Sequence, residues 1–204
     1  MNFNDLLYVL GGYILGSVLF AEIFGKLIAK KDIALQSPDK NPGTVNAFKY
    51  GGKLCGILTL CMDMLKGFLP VFLYSKFGAG ESIFAWALIV SAPVLGHIFP
   101  IFNNFKGGKG IATSFGCLLG FVPDLRPALC LAVSFLLFSF IICITPNYYK
   151  TIFSYFAAII FMFIVVKNKG IFMGFVIINT AVLIRFLTSK EEKEEFKMRL
   201  LWKH

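Results

Sequence analysis

The sequence predicts an all-α integral membrane protein of about seven transmembrane helices, a single domain over residues 1–204, with its N-terminus outside and its C-terminus cytoplasmic. Three observations carry this. The chain is 57% hydrophobic, with a mean hydropathy of +0.77. Only 15% of its residues are charged, against about 25% in soluble domains, and they cluster between long uncharged runs. Most of those runs reach the roughly 17–25 residues needed to cross a ~30 Å hydrocarbon layer.

The runs are taken in order. Leu6–Ala29, Leu54–Tyr74, Ile83–Phe102 and Pro127–Thr145 have spanning length, Thr151–Val166 is slightly short, and Ile171–Leu187 is adequate. The N-terminus lacks the basic stretch and small-residue cleavage site of a signal peptide, so the first run is expected to be retained as a span. Gly110–Val122 is apolar but brief, and is either a short tilted span or a re-entrant segment.

Basic residues favour the cytoplasmic side, and this separates the two. If Gly110–Val122 spans, 15 Lys and Arg fall inside and 4 outside, with Lys66 within a span. If it is re-entrant, every later loop changes side and the split becomes 11 to 8. Seven spans is therefore the expected topology. The same asymmetry accounts for most of the +9 net charge, so that charge does not argue for nucleic acid. The tail, Lys190–His204, places Phe196 and Leu200 four apart, which suits an amphipathic helix on an anionic leaflet or equally a solvated tail.

The five cysteines lie in apolar stretches without metal-ligand spacing, so neither a metal nor a disulfide is expected. No repeat is visible, which argues against a transporter of inverted repeats without excluding one.

Two inside loops carry the candidate chemistry. The first, Lys30–Lys53, is longer than ordinary connections and dense in Asn41, Pro42, Gly43, Thr44, Asn46, Gly51 and Gly52, with Lys40, Lys49 and Lys53. Glycine lets backbone amides approach a ligand, and Asn and Thr add neutral hydrogen bonds. An ordinary turn-rich loop has the same composition. In the second, Lys106-Gly107-Gly108-Lys109-Gly110 runs into an expected helix start, where unpaired amides and the helix dipole favour an anion. Its spacing is not that of a Walker A loop. His97 lies at the inner end of the third run, and Ser17 is placed either to bond across helices or to line a cleft. Glu22, Asp63 and Lys66 are intramembrane charges, functional candidates by their cost, and Asp63 and Lys66 share a helical face and can pair. No nucleophile elbow is present.

These stretches, taken together, resemble a known family. YILGSVLFAEIFGKL with its Gly16-Ser17 pair, NPGTVNAFKYGGK, GILTLCMDMLKGFLPV with Asp63, Lys66, Gly67 and Pro70, and GHIFPIFNNFKGGKGIATSFG are similar, in order, to the motifs of the PlsY-type bacterial acyl-phosphate:glycerol-3-phosphate acyltransferases. The resemblance implies a site at the cytoplasmic face of the cell membrane and no cofactor. It implies acyl transfer from acyl phosphate to glycerol 3-phosphate, giving lysophosphatidic acid, with the acyl chain in membrane lipid. It assigns His97 and Lys109 to catalysis. It assigns Ser17, Lys40, Asn41, Gly43, Thr44, Asn46, Lys66, Gly107, Gly108, Gly110, Thr151 and Arg185 to substrate binding.

The chain departs from the family pattern where Asp32-Ile33-Ala34 replaces Asp-Ile-Arg, where Thr145 is followed by Pro146, and where Asn179 to Arg185 retains only the arginine. A changed acceptor, a changed donor, or a lipid-binding or transport role without catalysis stay open on the sequence.

Overall fold

The computed structural model describes residues 1–78, 82–189 and 195–201, and statements below refer to these. Each of the seven apolar runs contains helix. Five stretches are long and apolar enough to cross a membrane: Phe3–Ala29, Thr44–Phe77, Ile83–Asn103, Asn147–Val165 and Lys169–Leu187. Large apolar side chains on them stay exposed (Leu7, Leu10, Ile14, Ile160, Phe163 and Ile164), as lipid-facing helices require.

Helix α1, Phe3–Gly16, opens on a reciprocal cap in which Asp5 N donates to Asn2 Oδ1 and Asn2 N to Asp5 Oδ2, both at 2.8 Å. The first span is not continuous. It unwinds at Ser17–Leu19 and resumes as α2, Phe20–Phe24, continued by a π-helical turn over Gly25–Ala29. A Cβ on Gly16 would overlap the backbone of Pro93, so a small residue there is what lets α1 lie against the third long stretch, Ile83–Asn103.

Helix α3 is the short Ile33–Gln36. Helix α4 runs Thr44–Phe77, kinked where Gly52 adopts φ 86°. The loop expected over Lys30–Lys53 is thus shorter than the sequence suggested. Its second half is helical, and the Gly51-Gly52 pair bends a helix instead of linking a loop to one.

Helix α5, Ile83–Ile98, is capped by Ser82, whose Oγ accepts from Ala85 N. Helix α6, Ile111–Leu119, has nine residues, about 14 Å at 1.5 Å per residue, and does not cross a bilayer alone. Helix α7, Arg126–Leu136, continues to Ile141 as a π-helical turn. Helices α8, Asn147–Val165, and α9, Lys169–Leu187, complete the bundle. Its core gathers Val90, Val94, Leu131, Tyr155, Phe175 and Ile178, with Tyr155 and Phe175 stacked at 5.8 Å.

The described part of the tail is not the amphipathic helix the Phe196–Leu200 spacing allowed. Strand β2, Lys197–Met198, pairs antiparallel with β1, Ile144–Thr145. Arg199 N and Leu201 N bond the carbonyls of Cys143 and Ile141. The segment between α7 and α8 offers unpaired backbone there, and extended pairing satisfies it. Phe196 then meets Tyr149 edge-on at 5.2 Å. Residues 190–194 and 202–204 of the expected tail lie outside the described residues.

Candidate active site

The two glycine-bearing loops converge. Lys109 Nζ lies 3.1 Å from Asp39 Oδ2, with both side chains largely buried. The other Asp39 oxygen accepts from Asn46 Nδ2 at 3.0 Å, and the same amide group donates to Asn41 O at 2.8 Å. Burial alone would push the Asp39 carboxyl up. The charge and hydrogen bond of Lys109, with hydrogen bonds from Asn46 and Ser37, outweigh it and hold the group below the usual carboxylate range.

The Lys109–Asp39 pair is flanked by two helix N-termini without side-chain caps. Gly43 precedes Thr44 at the start of α4, and Gly110 precedes Ile111 at the start of α6. First-turn amides have no intrahelical partner. Gly110 adopts φ 82°, a conformation glycine takes without strain. Asn41 is buried, its backbone N–H donating to Ser37 Oγ at 3.0 Å, while its side-chain Oδ1 is buried with no hydrogen-bond partner.

The glycine loop itself is braced and not open. Gly107 N donates to Ile98 O at 3.1 Å and Gly108 N to His97 O at 3.0 Å. These two amides are therefore committed to the end of α5, contrary to their expected use as anion donors. What the loop presents is Lys109 and the start of α6. From α9, Arg185 Nε donates to Gly108 O at 3.2 Å and Nη2 to Gly107 O at 2.8 Å. Arg185 thus holds the loop's shape, and Phe186 places its ring 5.1 Å from Lys109 Nζ.

Behind the loop lies a sealed polar cluster. Asp63 and Lys66 pair at 2.8 Å, both about 1% exposed. Lys66 Nζ also donates to Val18 O at 2.6 Å and lies 2.8 Å from His97 Nδ1. The unwinding of the first span is what frees the Val18 carbonyl for this ammonium. A Cβ on Gly108 would overlap His97 Nε2, so the imidazole rests directly on the glycine loop. Lys66 and His97 thus lie beneath the loop. Glu22 does not join them, and accepts instead from Asn103 Nδ2 at 3.1 Å. The three intramembrane charges form no common path across the bundle.

Ser17 donates to Tyr13 O at 2.8 Å and accepts from Ile101 N at 3.4 Å, tying the break in the first span to the turn after α5. It also borders a cleft of about 230 Å³ with Val18, Glu22, Lys26, Phe102 and Asn103. Contacts run from that cleft through Val18, Lys66 and His97 to Gly108. Lys40 is exposed at a left-handed turn, φ 48°. Thr151 is buried in α8 with its hydroxyl on Asn147 O at 2.8 Å, which does not link it to the cluster. Sequence reasoning missed Asp39 as a member of the site, although it is the lone acid between Asp32 and Asp63.

Fold and site together define a polytopic helical membrane protein whose two glycine-bearing loops meet around the Asp39 carboxylate. The family model described as glycerol-3-phosphate acyltransferase matches residues 6–194, and the chain belongs to that family. It is 42% identical over 123 residues to the glycerol-3-phosphate acyltransferase of Cupriavidus taiwanensis, covering 59% of this chain and 60% of the relative. It is 42% identical over 128 residues to that of Pseudomonas paraeruginosa, covering 63% and 65%. The chain thus spans about 60% of the length of the curated relatives it matches. Its fold is similar to that of PlsY, an integral membrane glycerol 3-phosphate acyltransferase. The glycerol 3-phosphate form gives a TM-score of 0.75 at 30% identity, covering 89% of this chain and 88% of that one. The lysophosphatidic acid form gives 0.72 at 29% identity, covering 89% and 87%.

Proposed function

We propose that this protein transfers a fatty acyl group from acyl phosphate to glycerol 3-phosphate, at a site facing the cytoplasm. The observation that carries the reading is the convergence of Lys109, Asn46 and the starts of α4 and α6 around one carboxylate. Groups that hold a carboxylate in this way suit a phosphate better, since a phosphate offers more oxygens to the free first-turn amides. The names of the matched relatives, and the glycerol 3-phosphate and lysophosphatidic acid forms of PlsY, support the same substrates and product. Counted with Gly110–Val122 as a short span, the 15-to-4 division of basic residues supports an outside N-terminus and a cytoplasmic cluster.

The chemistry asks little of the protein beyond placement and charge. Acyl phosphate is already activated. The acceptor hydroxyl oxygen attacks the acyl carbon, the carbon–oxygen bond to phosphate breaks, and the proton passes to a substrate phosphate oxygen. The products are lysophosphatidic acid and inorganic phosphate. Lys109 stabilises the charge on the departing phosphate. Asn41 Oδ1, an acceptor with no partner, suits a glycerol hydroxyl and not a phosphate oxygen. His97 acts through the loop: its carbonyl and ring fix Gly108, and Gly108 adjoins Lys109. Ser17, Lys40, Gly43, Thr44 and Thr151 remain candidate binding residues. Of these, Gly43 and Thr44 are best placed, at the start of α4.

The test is turnover by the purified protein in nanodiscs, supplied with palmitoyl phosphate and labelled glycerol 3-phosphate. Lysophosphatidic acid should form with wild type and be lost in Lys109→Ala. Folded wild-type protein that binds palmitoyl phosphate but yields no lysophosphatidic acid would overturn the acceptor assignment.

A further inference from the structure

We infer that the Asp39 carboxylate is a built-in competitor for the phosphate site, occupying Lys109 and Asn46 until a phosphate monoester displaces it. This deepens the proposed function and rests on it. Both carboxylate oxygens are engaged, one by Lys109 Nζ at 3.1 Å and the other by Asn46 Nδ2 at 3.0 Å. These are the two side chains that the convergence of the loops presents to an anion, so substrate and Asp39 cannot both hold them. Asp39 is carried by a connecting turn and not by a helix. It lies between α3 and α4, in a turn closed by Lys40 N on Ser37 O and by left-handed Lys40, outside any helix. The charged groups facing it are Lys109 and, at longer range, Arg185 from α9.

A carboxylate brings one negative charge and two acceptor atoms, whereas a phosphate monoester brings up to two charges and three terminal oxygens. The exchange therefore selects a phosphate over a simple carboxylate or other weak anion. Its consequence is a binding constant weaker than the same site would show without Asp39.

The experiment measures KM for glycerol 3-phosphate at saturating palmitoyl phosphate, the reverse pair, and inhibition by inorganic phosphate, in wild type, Asp39→Asn and Asp39→Glu. Asp39→Asn keeps the shape and removes the charge, and should bind the phosphate of at least one substrate roughly fivefold more tightly, the scale of one partly exposed ion pair. The arm in which KM falls identifies which substrate's phosphate takes the place of Asp39. Asp39→Glu retains the charge and should stay within about twofold of wild type. An active wild type with Asp39→Asn binding phosphate equally or more weakly overturns the inference and makes Asp39 a positioning residue for Lys109. A wild type that neither turns over nor binds phosphate overturns the proposed function, and this inference with it.

Discussion

The Lys66 ammonium lies 2.8 Å from Nδ1 of His97, across the contact between α4 and α5. The same ammonium neutralises Asp63 and caps the carbonyl of Val18. An ammonium can only donate, so a neutral His97 paired with it in this way carries its proton on Nε2, the edge that faces Gly108. One buried cation thus joins the broken first span, α4, α5 and the glycine loop.

Removing that cation alone should be costly. Lys66→Met leaves Asp63 charged or protonated without a partner in a sealed site, and should destabilise the protein by about 3–5 kcal/mol. Asp63→Asn with Lys66→Met should recover most of the loss. Thermal unfolding in detergent checks both, and single and double variants of equal stability would remove the coupling.

Gly108→Ala forces a methyl group into His97 Nε2. The expected cost is about 1–3 kcal/mol of overpacking, with lost turnover as the loop shifts. Pairing it with His97→Ala opens the space again. Recovery of folding in the double variant, read by melting temperature, would confirm that the two side chains share one volume.

Arg185→Lys keeps the charge and loses the two-pronged hold on the carbonyls of Gly107 and Gly108. Turnover should fall about tenfold or more, with melting temperature little changed. Michaelis–Menten kinetics beside a melt separate the two effects. A variant with wild-type kinetics would show that the loop holds its shape without the arginine.

Asp39 is held below the usual carboxylate range by Lys109 and its other donors against the opposing effect of burial. Its folded pKa is thus depressed relative to the unfolded chain. The pair therefore contributes stability that is fully present above the unfolded value and lost as pH falls through the folded one. Wild type should melt above Asp39→Asn at neutral pH, and the gap should close in acid, below about pH 4. A gap constant from pH 7 down to pH 3 would exclude the ion pair as its source.

The sequence was most legible where physics is local. The apolar runs each fell on helix, five of the resulting stretches are long and apolar enough to cross a membrane, and the three-residue spacing of Asp63 and Lys66 announced their pair. It was least legible where partners are distant. Nothing near His97 indicates that it meets Lys66, 31 residues earlier, or that its carbonyl would consume the Gly108 amide. Composition made Gly51-Gly52 read as loop, yet helix continues on both sides because a single positive-φ residue bends it without ending it. Asp39 was passed over because one acid among lysines reads as a solvated charge until the fold brings Lys109 to it. Phe196 and Leu200 had helical spacing, but free backbone between α7 and α8 selected a strand.

The interruption at Ser17–Leu19 also bears on how the protein responds to its bilayer. An unbroken apolar helix can slide or tilt to match a thicker or thinner membrane at small cost. Here the carbonyl of Val18 is pinned to the end of Lys66, so the depth of the first span is fixed relative to α4. A change in lipid thickness therefore meets the first span and α4 as one coupled unit and not as two helices free to slide past each other.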